Sequence, residues 1–211
     1  MCYSKDFSLF TLIGGILTSY LLNNFGDKNY SLTNNKLSIF YSFVSLMQLT
    51  EYLIWSDINC NNGLNKLAGY IGPLLNNLQP SLIYLLYYDE LKKNNVLNTV
   101  NIVYIFYNLY KYINFINNKN ICSGLLNNHI SWSWSYNSYN FYFIIMILNF
   151  YYLKKDDYVK ISIILSIISY IVSYKYFKTN LGEFWCLFVV LIPIILLTIQ
   201  RINIIRKKYY Q

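Results

Sequence analysis

Seven continuous apolar runs divide the chain, near residues 7–23, 37–55, 64–88, 96–117, 139–153, 159–177 and 182–200. Most approach the 20 or so helical residues that cross a bilayer. Apolar and polar positions do not alternate within them, which argues against a barrel of strands. Backbone amides in hydrocarbon must bond within their own segment, so the runs read as helices. The expected fold is therefore an all-α, polytopic bundle of seven transmembrane helices. It forms one domain over residues 1–211, with an exterior loop at 118–138. The fifth run is the shortest and the fourth is rich in tyrosine. The first run ends in Thr18, Ser19 and Tyr20, which is no small-x-small cleavage site, so it reads as a helix and not a signal peptide.

The basic residues fall between the runs and set an orientation. One side collects Lys28, Lys36, Lys92, Lys93, Lys154, Lys155, Lys160, Arg201, Arg206, Lys207 and Lys208. The other has only Lys5, Lys66, Lys111, Lys119, Lys175 and Lys178. The positive-inside bias then places the C-terminus in the cytoplasm and the N-terminus outside or in a lumen.

Composition agrees with this picture. Hydrophobic residues make up 55% of the chain and charged residues only 12%, against about a quarter charged in a typical soluble domain. The formal charge of +8 invites a nucleic-acid partner. No basic face or arginine-rich arm is present to track phosphates, so nucleic acid is excluded and the bilayer is the expected partner. Usage is also lopsided, with a single alanine (Ala68) and abundant Asn, Ile, Lys and Tyr. That pattern reads as an AT-rich genome, and it gives residues that run against the bias more weight.

With this topology Trp55, Trp132, Trp134 and Trp185 all lie on or near the outer face. So do Cys2, Cys60, Cys122, Cys186 and the only histidine, His129. Single tryptophans at that depth suit an aromatic belt; the cluster suggests an elaborated outer surface. Cys60 and Cys122 follow the second and fourth runs. They are either a disulfide that pins 118–138 to the bundle or two free thiols, since spacing does not give geometry. No C-x-x-C and one histidine leave no metal site, and no cofactor is expected.

Within the second run Gln48, Glu51 and Trp55 share one helical face. An acid near mid-bilayer costs about 2.5 kcal/mol or more unless it finds a partner, a cavity or a proton. It serves either a site or a structural hydrogen bond. The third run supplies candidate partners. Gly69, Gly72 and Asn76 share a face that permits close backbone approach. Pro73 and Pro80 kink the helix around Asn76, Asn77 and Gln79. Asn180 and Glu183 resemble a capping box at the start of the last run. The run 182–200 holds no lysine for a Schiff base, and no G-x-S-x-G, P-loop or H-E-x-x-H is present. The sequon at Asn29 falls in a cytoplasmic loop and should be unused.

The stretches "MQLTEYLIW", "CNNGLNKLAGYIGPLLNNLQP", "NICSGLLNNHISWSW" and "GEFWCLF" together resemble a family of uncharacterised polytopic membrane proteins from giant DNA viruses and algae. The resemblance implies marker residues Gln48, Glu51, Cys60, Gln79, Pro80, Cys122, His129, Trp132, Trp185 and Cys186; it supplies no activity. The expected function is an outward-facing polar cavity that binds or transports a small molecule or lipid. Its ligand-binding residues would be Gln48, Glu51, Trp55, Asn76, Gln79, His129, Trp132 and Trp185. A structural component of a virion or host endomembrane is the alternative. A membrane-embedded enzyme, with Glu51 and His129 as acid and base, stands third.

Overall fold

The structure, a computed structural model, describes residues 4–117, 121–126, 129–134, 139–153, 156–176 and 188–209. Helix α1 spans Lys5–Phe25 and begins where the Ser4 hydroxyl caps the Phe7 amide at 3.2 Å. A 3-10 turn, Lys28–Tyr30, leads into α2, Ser31–Ser56. Then come α3 (Leu64–Asn77), α4 (Gln79–Leu86), the single turn α5 (Tyr88–Leu91) and α6 (Asn95–Ile116). A hairpin of β1 (Gly124–Leu126) and β2 (His129–Ser131) follows. Helices α7 (Tyr139–Tyr152), α8 (Asp157–Tyr176) and α9 (Ile192–Tyr209) complete the described chain.

The expected seven-span bundle is overturned. Among the described residues only Lys28–Ser56 and Asp157–Tyr176 are long and apolar enough to cross a membrane, and the first is largely buried inside the fold. The third run is cut into pieces of 14 and 8 residues, and the fifth gives 14. The architecture is a compact all-α globular domain carrying one small hairpin, held by internal hydrogen bonds. The multi-pass assignment, the inside–outside orientation and the bilayer as partner rested on seven spans and fall with them.

The physical reason is visible in α1 and α2. The buried face of α1 is its small and hydroxylated face, Ser8, Thr11, Gly15, Ser19 and Leu22, at helical spacings of three and four. The facing stripe of α2 is equally polar: Asn34, Ser38, Tyr41, Ser45, Gln48 and Glu51 are all buried. Gly15 lies so close to α2 that a Cβ there would run into the Ser45 hydroxyl. Larger apolar residues of α1, such as Phe10 and Ile13, stay outside. Counting apolar residues placed helices along α1 and α2 but misassigned what their polar residues do.

Amides tie the remaining helices together. Asn101 of α6 and Asn149 of α7 exchange two hydrogen bonds of 2.8 and 2.9 Å, and Asn149 also donates to the Pro80 carbonyl at 3.0 Å. At the break between α3 and α4, the Tyr104 hydroxyl donates to the Asn77 carbonyl at 2.9 Å. On α9, Gln200 accepts from the Asp27 amide at 2.6 Å and donates to Asn34 at 2.8 Å. A side chain on Gly26 would place its Cβ 2.7 Å from that Gln200 oxygen. Only glycine fits there.

Candidate functional site: a clasped hairpin

The most heavily engineered place in the molecule is the segment 121–134 where it lies along α3. Its mounting starts at Asp57, just past α2. One Asp57 oxygen accepts the amides of Asn61 and Asn62 at 2.7 and 3.0 Å, and the other accepts the Asn65 amide at 3.2 Å. The Asn62 amide leads the hydrogen bonds that hold the Asp57 carboxyl below its ordinary range. The turn so formed bends through two left-handed residues, Cys60 at φ 57° and Gly63 at φ 81°. It delivers Asn65 to the first turn of α3.

Four contacts then fasten the hairpin segment to this scaffold. Cys60 is disulfide-bonded to Cys122 across 62 residues, with their Cα atoms 6.2 Å apart. The Asn65 side chain exchanges two bonds with the Ser123 backbone, of 2.8 and 2.9 Å, as a neighbouring strand would. Gly69 admits the Ile121 carbonyl, and Gly72 admits the Trp134 ring; a Cβ at either would collide. Asn65, Gly69 and Gly72 occupy one face of α3. The close approach expected at Gly69 and Gly72 is made by an extended segment, through Ile121 and Trp134.

Trp132 and Trp134, two residues apart, are buried and stacked, with centroids 5.4 Å apart and planes at 15°. The Ser133 hydroxyl between them donates to the Ile121 carbonyl at 2.5 Å, and its amide donates to Ser123 Oγ at 3.1 Å. The strands pair antiparallel with Leu125 opposite Ile130 and Leu126 opposite His129. Ile130 is buried, whereas Leu125 and Leu126 are each 48% exposed. Among the described residues the β1 backbone bonds only to β2. The hairpin therefore has a fixed inner side and an open outer strand.

The residues expected to bind a ligand are distributed over two regions. Gln48 and Glu51 are fully buried on α2, and Gln48 accepts from the Thr11 hydroxyl at 2.8 Å. Trp55, one turn further along, is half-buried against the core. Asn76 and Gln79 are buried near the α3–α4 break, where Gln79 accepts from the Tyr142 hydroxyl at 2.6 Å. His129 sits on β2 and Trp132 just beyond it. Burial holds the His129 imidazole below its ordinary pKa. Trp185, like Glu183, lies outside the described residues, as do parts of the loop 118–138. The disulfide is present. The outward-facing cavity of a membrane transporter was a reading built on the spans, and the buried polar network of a globular domain replaces it. The structural membrane component, the alternative reading, fails on the same observation.

Sequence reasoning passed over Asp57, Asn65 and Ser123, which do much of the fastening. The D-x-x-C-x-x-G-x-N run from Asp57 to Asn65 was the available signal. An acid followed by amide and glycine residues is what a carboxylate-organised turn requires. No family model, curated protein or solved structure matches the chain.

Proposed function

We propose that the protein is a recognition module, in which the helical body is a mount and the clasped hairpin accepts an extended segment of a partner polypeptide. The observation that carries this reading is the contrast within one hairpin. A disulfide, a paired amide and two glycine-seated contacts immobilise its inner side, while β1 is exposed along its length. An uncovered edge strand offers backbone donors and acceptors to a further strand. Leu125 and Leu126 add apolar contact on the two faces of that strand. Fixing the strand beforehand reduces the ordering cost that a mobile loop would impose on binding.

Selection of random peptides on the folded, oxidised protein provides the test. The reading expects selected peptides to bind wild type and to lose more than tenfold in affinity for Leu125→Asp and Leu126→Asp. Both variants should keep the Cys60–Cys122 bond. Peptides that bind the variants as well as wild type would refute it.

A further inference from the structure

A second feature lies away from the hairpin, and none of the residues singled out from the sequence lines it. Helices α7 and α8 together line a cleft of about 470 Å³. Its walls include Phe143, Ile147 and Phe150 from α7 and Ile163, Ile167 and Tyr170 from α8. The Phe143 and Tyr170 rings meet at 4.3 Å across the cleft. Phe150 itself is anchored to the core, where the Phe40 ring of α2 packs edge-on against it with centroids 6.3 Å apart.

Among the described residues no charged side chain lines this space. The two nearest cations of α8 are engaged elsewhere: Lys160 pairs with Asp157 at 2.7 Å, and Lys175 lies over the Tyr176 ring. Among the described residues Ser166 is the only hydroxyl in the lining apart from Tyr170, and it donates to the Ser162 carbonyl at 2.9 Å. Ser162 also meets the buried Tyr41 hydroxyl, whose pKa burial pushes up to about 12. An ionised ligand would therefore meet no countercharge there, and desolvating it would be costly. The volume falls within the range of about 300–1,000 Å³ that takes a drug-sized molecule.

We infer that the α7–α8 cleft is a binding site for an uncharged, apolar small molecule with ring-sized bulk. Its rigid isoleucine and aromatic walls suit a fused-ring or aromatic hydrocarbon skeleton, and its neutrality excludes carboxylates and sulfonates. This site is independent of the hairpin, so either proposal can fail alone.

Two fluorescent probes of similar shape separate the outcomes. N-phenyl-1-naphthylamine is neutral, and 1-anilinonaphthalene-8-sulfonate carries a sulfonate on the same skeleton. The neutral probe should saturate at one per chain and bind at least tenfold more tightly than the anionic one. Ile167→Trp, which fills the cleft from a half-exposed position, should weaken the neutral probe more than tenfold with the circular dichroism unchanged. Ile147→Trp, from the opposite wall, should do the same. Equal or tighter binding of the sulfonate would overturn the inference, as would unsaturable uptake or wild-type affinity in both variants. A dimer that excludes the neutral probe, and that Ile167→Trp dissociates, would assign the cleft to a second copy and equally overturn it.

Discussion

Helices α2 and α8 are near equals as sequences, since both are long and apolar enough to cross a membrane. Their fates differ. The most apolar part of α2 is 61% buried in the fold, whereas that of α8 is 22% buried. What separates them is the placement of polar groups. On α2 they form one continuous stripe that meets α1, α8 and α9 through Thr11, Ser162 and Gln200. On α8 the buried polar positions are Ser162 and Ser173, far apart, and Ile164, Ile168 and Ile171 are more than half exposed. A polar stripe with partners on several sides makes a helix central. Apolarity alone does not.

The comparison can be broken first at the end of α2. Cys122→Ser removes the clasp that closes the 62-residue separation, and chain-entropy reasoning expects a loss of about 4 kcal/mol. Denaturant unfolding under oxidising conditions measures it, and reduction of wild type should give a similar loss. Next comes the helix interior. Met47→Ala, at a fully buried position, should cost about 2–5 kcal/mol. The matched change on α8, Ile168→Ala at 51% exposure, should stay within about 0.5 kcal/mol. Equal losses at the two sites would erase the distinction between core and peripheral helix.

The positions of the helices were readable because long apolar runs bounded by Asn, Asp, Gly and Lys clusters leave few alternatives. Runs 7–23, 37–55, 96–117, 139–153 and 159–177 each coincide with an observed helix to within a few residues, except that α2 begins earlier, at Ser31. The third run is interrupted at Leu78, within the stretch its prolines were expected to kink: Pro80 removes an amide and the chain restarts as α4, so a kink becomes a break. Their environment was not readable, because hydropathy averages over a helix and is blind to which face carries the hydroxyls and amides. Cys60 and Cys122 were paired correctly as one of two options, yet the side-of-membrane argument behind the pairing did not survive. Asn65 was invisible for another reason. In a chain so rich in asparagine, nothing marks the one whose side chain imitates a strand.

A sharper cut through the comparison is the amide lock that fastens the N-terminal end of α2. Gln200→Leu keeps the approximate volume but leaves the Asp27 amide and the Asn34 side chain without their partner. Unmet buried groups cost about 1–3 kcal/mol. Asn34→Leu should cost a similar amount, and the double variant less than the two together, because both act on one network. Additive losses would show that the two amides are not a unit. Ser173→Ala, on the peripheral helix at a position equally buried, is the control and should be nearly silent.

The smallest effect concerns pH. The Asp57 carboxyl, at the C-terminal end of α2, is held below its ordinary value of 3.8 by backbone amides, that of Asn62 first. Because the folded value is the lower one, the unfolded chain takes up this proton first as pH falls. The contribution to stability is therefore complete above pH 3.8 and disappears as pH drops through that value towards the folded one. Asp57→Asn keeps a carbonyl acceptor for the turn but nothing that titrates. The gap in unfolding midpoint between wild type and Asp57→Asn should thus be constant near neutrality and narrow steadily below pH 3.8. Asp157, in the first turn of α8, pairs with the exposed Lys160, and such surface pairs contribute about 0–1 kcal/mol. Asp157→Asn should shift the midpoint little. A gap for Asp57→Asn that does not narrow on acidification would mean the turn is held by its shape, with Cys60 and Gly63 bending it, and the carboxylate's charge would have no part in mounting the hairpin.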